Sequence, residues 1–493
     1  MGPAFYAFRS YGFWVCLHFL LLLVISTVAD SGQIVESLPG YPGKLPFTLE
    51  TGYVGVGDLE EVQLFYYFVE SDRDPVRDPL LLWLTGGPGC SAFSGLVYEI
   101  GPLNFDFDAF NGSLPSLVLN QYTWTKVANI IFLDSPVGTG FSYSKSQESY
   151  YTSDTLSSKA IYEFLRKWIT NHPKFINNPL YIAGDSYSGM IVPTVTVEVA
   201  EGNRAKHKPY LNLQGYILGN PVTDLHNDEN SRVEYFYRLG LISSELFKAA
   251  KTYCVGEYIS PNASNAECMN TIQHIAECTI KVCDAQILEP KCSFASPKPM
   301  GLKWGRKFFD DTPIDIALSS QQGPDNWCRN SNYVLSYIWA NDEGVQHALH
   351  VRNDTITDWM RCNKTLAYDY DILSTVFYHK ELIMTGYRAL VYSGDHDMLI
   401  PYTGTVAWIY TLNLTVVDDW RPWFVEGQIA GFTQKYAHKV GDGLVFITVK
   451  ASKHYWQVIT QSECEHKVTS FFFFLALYRE GVIQLQSTSL RSV

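Results

Sequence analysis

Several short stretches of the 493-residue chain carry residue types that can act together on an ester or amide carbonyl. The central one is Tyr181-Ile182-Ala183-Gly184-Asp185-Ser186-Tyr187-Ser188-Gly189. Pro179 to Ala183 reads as an apolar strand, and Gly189 to Ala200 reads as a helix with Pro193 near its start. A serine between them, with glycines two before and three after, can stand on a sharp turn that holds its hydroxyl clear of both elements. On pattern alone a structural serine in a glycine-rich turn stays open. A nucleophile needs a base, an acid to orient it and donors for the oxyanion. Asp395 and Asp397 follow the apolar run Leu390 to Tyr392, and His454 follows Leu444 to Thr448. The corner Gly86-Gly87, stiffened by Pro88, offers backbone donors with no side chain to block a carbonyl, and the Tyr187 amide is the natural second donor. A plain tight turn at Gly86 to Gly89 is the competing reading.

The elements that must position these residues alternate between strand and helix. Glu61 to Glu70, Pro79 to Leu84, Val127 to Leu133, Leu211 to Leu218, Arg388 to Tyr392 and Gly443 to Lys450 read as strands. Thr155 to Thr170, Ser243 to Lys251 and Tyr333 to His350 read as helices. Glycine-rich corners close the strands, which argues for an α/β class with a twisted, mostly parallel sheet. Ser186, then Asp397, then His454 is the chain order of an α/β-hydrolase. Residues 225–330 hold most of the cysteines and no βα repeat, so they read as an insertion lying over one end of the sheet. The expected division is 1–29 signal peptide, 30–224 first part of the core, 225–330 insertion and 331–493 second part of the core.

Net charge is −13 without long acidic blocks, which argues against a nucleic-acid-binding face. Arg9, the apolar Phe13 to Ile25 and the small residues Ser26 to Ala29 read as a cleaved signal, with no stable membrane anchor. Loss of Cys16 leaves nine cysteines, five of them between 254 and 292, and an exported chain of that kind implies disulfides. Their spacings fit no zinc pattern, so no metal is expected. Sequons begin at Asn111, Asn262, Asn353, Asn363 and Asn413 and fit a glycosylating secretory route to the vacuole or the cell exterior. Gly138 and Gly140 lack a following Lys-Ser/Thr pair and are no nucleotide cradle; no cofactor is expected.

The stretches Trp83 to Ser91, Asp134 to Tyr143, Gly184 to Gly189, Gly219-Asn220-Pro221 and Ser393 to Asp397 together resemble the serine carboxypeptidase family, and its plant carboxypeptidase-like branch in particular. The resemblance runs from about residue 37 to 464. It implies an α/β-hydrolase fold with a disulfide-stapled, mostly helical lid insertion. It also implies a Ser186, Asp397, His454 triad and an oxyanion hole from the Gly87 and Tyr187 amides. Implied disulfides are Cys90–Cys362, Cys254–Cys268 and Cys292–Cys328, with Cys278 and Cys283 unassigned. The linker around Lys303, Arg306 and Lys307 is excised in some relatives to leave two chains.

The family's peptidases read a substrate carboxylate with an asparagine before the double glycine and a glutamate before the nucleophile, supported by a second glutamate. The matching residues here are Thr85, Asp185 and Glu99, beside Gly86. Thr85 lacks an amide's two donors, and Asp185 is one methylene short, so a proton-sharing pair with Glu99 is expected to be stretched. These changes, with Thr139, Ser188 and Pro221, resemble the acyltransferase members, which move an acyl group from a 1-O-acyl glucose ester to an alcohol. A carboxypeptidase acting on peptides is one alternative. A secreted binding protein of the same shell is another, because Lys453, Tyr455 and Trp456 crowd His454 where the family has glycines and a proline.

Overall fold

The computed structural model describes residues 32–291, 329–425, 427–437 and 443–450. The expected signal peptide, the Lys303 linker, the Cys292–Cys328 pair and His454 lie outside them.

Strands β1 (Gln33–Val35), β2 (Leu49–Val56), β3 (Val62–Val69) and β4 (Leu80–Leu84) open the chain, followed by the short β5 (Leu103–Phe105) and β6 (Leu117–Leu119). Next come β7 (Asn129–Leu133), β8 (Tyr143–Ser144), β9 (Thr152–Ser153), β10 (Leu180–Asp185) and β11 (Leu213–Gly219). The series closes with β12 (Tyr368–Asp369), β13 (Arg388–Gly394), β14 (Thr415–Val425), β15 (Gln428–Ala437) and β16 (Leu444–Val449). The main sheet runs β1-β2-β3-β7-β4-β10-β11-β13-β16-β15-β14, with β8 paired to β3. From β7 to β16 every pairing is parallel, and antiparallel strands finish both edges.

Alternation across the sheet explains why the central strands are apolar throughout. Leu81 and Trp83 of β4 point into one core, while Leu80, Leu82 and Leu84 point into the other. β7 divides in the same way, Ile130 and Phe132 against Ile131 and Leu133. Each such side chain contributes about 1.5–3 kcal/mol relative to exposure.

Helix α1 (Asp154–Asn171) starts where the Ser153 hydroxyl accepts the Leu156 N–H, and it lays Ile161, Phe164, Leu165 and Trp168 on the sheet. Helix α2 (Ser188–Arg204) continues through Pro193. Proline has no N–H for the carbonyl four residues back. That carbonyl, Gly189 O, instead accepts from Thr375 Oγ1 at 3.1 Å.

After β11 come α3 (Leu225–Arg238), α4 (Ser244–Cys254) and α5 (Ala266–Thr279), in the stretch expected to form the insertion. These helices share a small core that includes Tyr235, Phe236, Ile275 and Met398, and the Cys254–Cys268 disulfide joins α4 to α5. Closing a loop of that separation stabilises by roughly 3 kcal/mol in the chain-entropy picture. Cys278 and Cys283 carry no disulfide among the described residues.

Three expectations need correction. Tyr333 to His350 is not one helix but α6 (Arg329–Ala340) and α7 (Glu343–Ala348), because Asp342 caps the second by accepting the Val345 N–H at 3.0 Å. Residues 49–56, absent from the strands expected above, form β2. The β14–β15 hairpin was not expected at all. Helices α8 (Val376–Met384) and α9 (Tyr402–Thr411) flank β13.

Candidate active site

Because β10, β11, β13 and β16 run parallel, their carboxyl ends share one edge of the sheet. Ser186 follows β10 directly, at φ +55°, a left-handed conformation that costs a non-glycine residue about 1–2 kcal/mol. The turn is fixed from several sides. The Ser186 N–H donates to Gly219 O at 2.9 Å, and its carbonyl accepts from Gly189 at 3.0 Å and Val222 at 2.9 Å. Both glycines of the motif are sterically required: a Cβ at Gly184 would lie 2.3 Å from Leu84 O, and one at Gly189 2.3 Å from Val222 O. The Ser188 hydroxyl donates back across the turn to Asp185 O at 2.5 Å.

The glycine corner after β4 presses against this turn. A Cβ at Gly86 would lie 2.7 Å from Ser186 Cβ and 2.7 Å from the Tyr187 N. The Gly86 N–H is taken by Asp185 Oδ1 at 3.2 Å. The N–H groups of Gly87, at φ +126°, and of Tyr187 donate to no acceptor among the described residues. Those two amides, at the amino end of α2, are the donors available to an oxyanion. The Cys90–Cys362 disulfide ties the corner to the loop before β12, and Asn363 N–H adds a bond to Gly89 O at 2.8 Å.

Buried carboxylates brace the corner. Asp134 accepts from Ser91 Oγ at 2.6 Å, Ala92 N at 2.8 Å and Phe141 N at 3.0 Å. Burial still pushes its carboxyl up to about 7 against those bonds. Asp154 accepts the Tyr187 hydroxyl at 2.8 Å, the Tyr368 hydroxyl at 2.7 Å and the Ile372 N–H at 3.1 Å. It thereby anchors the ring of the residue whose amide faces the site. Sequence reading missed Asp154; Ser153-Asp154 looks like an ordinary helix start.

Behind the serine lie Thr85, Glu99 and Asp185, all buried. Glu99 Oε2 accepts from Trp83 Nε1 at 3.0 Å. Burial raises the Glu99 carboxyl well above its usual range, and the nearby Asp185 charge raises it further. The Trp83 bond and the charge of Arg361 oppose this. Arg361, whose guanidinium lies 3.8 Å from the centre of the Tyr333 ring, was a second residue that sequence did not single out. The Thr85 hydroxyl makes no hydrogen bond among the described residues.

Asp397 is fully buried after β13, and its Oδ1 accepts from Leu399 N at 2.8 Å and Ile400 N at 3.1 Å. Asn220 links this corner to the elbow: its N–H donates to Tyr392 O at 2.8 Å and its Oδ1 accepts from Gly394 N at 2.7 Å. The backbone carbonyl of Asp395 accepts the Tyr235 hydroxyl at 2.9 Å. β16 delivers the chain to the same edge at Lys450, four residues before His454. Of the sequon asparagines, Asn111, Asn262, Asn353 and Asn413 are exposed. Asn363 is half-buried, and its Nδ2 donates to Gly138 O at 2.9 Å.

No group of His, Cys, Asp and Glu among the described residues could hold a metal ion. No helix among them is long and apolar enough to cross a membrane.

The serine carboxypeptidase family profile matches residues 39–473. The chain is 46% identical over 441 residues to serine carboxypeptidase-like 17 of Arabidopsis thaliana, covering 90% of this chain and 93% of that one. It is 45% identical over 461 residues to serine carboxypeptidase-like 13 of the same plant, covering 93% and 97%. A prohormone-processing carboxypeptidase from Saccharomyces cerevisiae superimposes with a TM-score of 0.66 at 18% identity, covering 91% of this chain and 96% of that one. That likeness shows the α/β fold.

Proposed function

The chain belongs to the serine carboxypeptidase family, and from that premise we propose that it moves an acyl group from a 1-O-acyl glucose ester to an alcohol through a Ser186 acyl-enzyme. The Ser186 oxygen attacks the ester carbonyl while His454 takes the hydroxyl proton. The carbonyl oxygen becomes an oxyanion facing the Gly87 and Tyr187 amides. The bond to the sugar oxygen then breaks, and His454 gives its proton to the departing glucose. An alcohol attacks the acyl-serine, losing its proton to His454, and the Ser186 oxygen leaves and regains that proton. Asp397 holds the imidazole in the tautomer this requires.

The observation that carries the reading is the wall behind the serine. Thr85 presents a single buried hydroxyl with no partner among the described residues, and Asp185 Oδ1 is held by Gly86. An asparagine and a glutamate reading a terminal carboxylate are absent from that wall. One observation favours a carboxypeptidase instead: burial and the Asp185 charge raise the Glu99 carboxyl, the direction that suits sharing a proton with a substrate carboxylate. Two disulfides fit a secretory, oxidising compartment.

Intact-mass measurement after mixing with a 1-O-acyl glucose tests the acyl-enzyme. One acyl group should add to the protein and be absent from Ser186→Ala. A protein that is folded yet gains no mass from any donor, and leaves a blocked dipeptide uncut, would support the binding-protein alternative.

A further inference from the structure

A cleft of about 730 Å³ opens between β2, helix α1 and the loop at Lys208. The chain as a whole carries −13. The cleft wall nevertheless presents Lys145, Lys159, Arg166, Lys167, Lys208 and Arg352 against only two carboxylates, Glu60 and Glu163.

Both carboxylates are already engaged, because Lys167 Nζ bridges them at 2.7 and 2.9 Å. Arg352 is set in place over the Tyr53 ring, donating to Gln63 Oε1 at 2.7 Å and the Tyr143 hydroxyl at 3.0 Å. Arg166 donates through one terminal nitrogen to Lys208 O at 2.5 Å, while its buried Nε has no acceptor among the described residues. The charges of Lys145 and Lys159 are felt by Glu61 and Glu198. Neither lysine, nor Lys208, makes an ion pair among the described residues. Glu61 itself is occupied by the Ser146 and Ser149 hydroxyls at 2.6 and 2.7 Å.

The result is a surplus of cations along the cleft wall. A single phosphate needs donors that converge on a point. Donors spaced along a groove match a chain with charges at intervals. We propose that this cleft binds an acidic oligosaccharide, a sugar chain bearing carboxylates along its length. Its hydroxyls meet the polar side chains of Gln63 and Asn171 in the cleft wall, and its charges pair with the lysines. None of the cleft residues belongs to the proposed catalytic machinery, so the inference does not rest on the acyl-transfer reading.

The test measures binding of a fluorescently labelled oligogalacturonate to the full-length, glycosylated protein, with a neutral oligogalactan and a single-stranded DNA of matched charge in parallel. The acidic sugar should bind, weaken about tenfold between about 20 and about 200 mM salt, and weaken about tenfold in K145Q/K159Q/K208Q. Lys248→Gln, on the exposed face of α4, should bind as the unaltered protein does. Equal loss in the Lys248 variant, equal binding of the neutral sugar, tighter binding of DNA or no binding at low salt would each overturn the proposal.

Discussion

The serine edge and the cationic cleft sit on one sheet and hold their groups in opposite ways. Around Ser186 positions are fixed by exclusion: glycines stand where a single added carbon would lie 2.3–2.7 Å from a neighbour, and carboxylates are buried under several donors each. In the cleft the groups are long side chains, held at the half-buried Lys167, Arg166 and Arg352 and exposed at Lys145, Lys159 and Lys208. The first region depends on ångström-scale shape and is indifferent to salt. The second depends on summed charge, tolerates movement and is weakened by screening. Changes at the two regions should therefore be separable in kind as well as in size.

The sharpest break comes at the corner. Gly86→Ala places a methyl against Ser186 Cβ and the Tyr187 amide, and kcat for ester turnover is expected to fall about a hundredfold or more. Near-normal kcat would mean that the close approach of the two turns is irrelevant to chemistry.

Asp154 acts one step back, through Tyr187. Asp154→Ala should lower kcat roughly tenfold while KM moves less than about twofold, because the proposed oxyanion donor is misplaced and the substrate wall is not. A change confined to KM would contradict that positioning role.

Asp228, buried near the start of α3, tests burial without touching turnover. Its Oδ2 accepts both the Thr223 and Asp224 N–H groups, at 2.7 and 3.0 Å, so asparagine can keep the pair. Burial raises its carboxyl from 3.8 to about 7 in the folded chain. A raised carboxyl favours folding fully below the unfolded value and loses that contribution as pH rises through the folded one. Asp228→Asn should therefore flatten the fall in unfolding free energy between pH 4 and 7, by at most about 4 kcal/mol. Denaturant titrations at several pH values would show it; an unchanged slope would mean the carboxyl is ionised in the fold. Smallest of all, Lys159→Gln in the cleft should leave kcat within about twofold, since charge there is remote from the acyl group. A larger loss would couple the two regions.

What could be read from sequence follows the same division. The elbow, the glycine corner and the Asp397 corner were legible because small residues at fixed spacings have few explanations other than close backbone approach. The central strands were legible because burial on both faces leaves only apolar residues. The β14–β15 hairpin was not. Its register slips between Val416 and Asp418, again before Arg421, and again at Trp423, and most of β14 is exposed, so no two-residue alternation survives. Trp420 and Phe432 stack across it at 5.8 Å, a pairing that only the fold reveals. The break at Asp342 was hidden because the apolar spacing continues through it. Asp154 and Arg361 act through residues far away in sequence, and nothing local marks them.

Ser186 is proposed to pass an acyl group to an alcohol. The most direct test incubates purified, glycosylated protein with a panel of 1-O-acyl glucoses, with and without alcohol acceptors, beside a blocked dipeptide. New ester that requires the acceptor and vanishes in Ser186→Ala is the expected result. Dipeptide cleavage with no acceptor-dependent ester would contradict it, and would mean that Thr85, Asp185 and Glu99 still read a carboxylate.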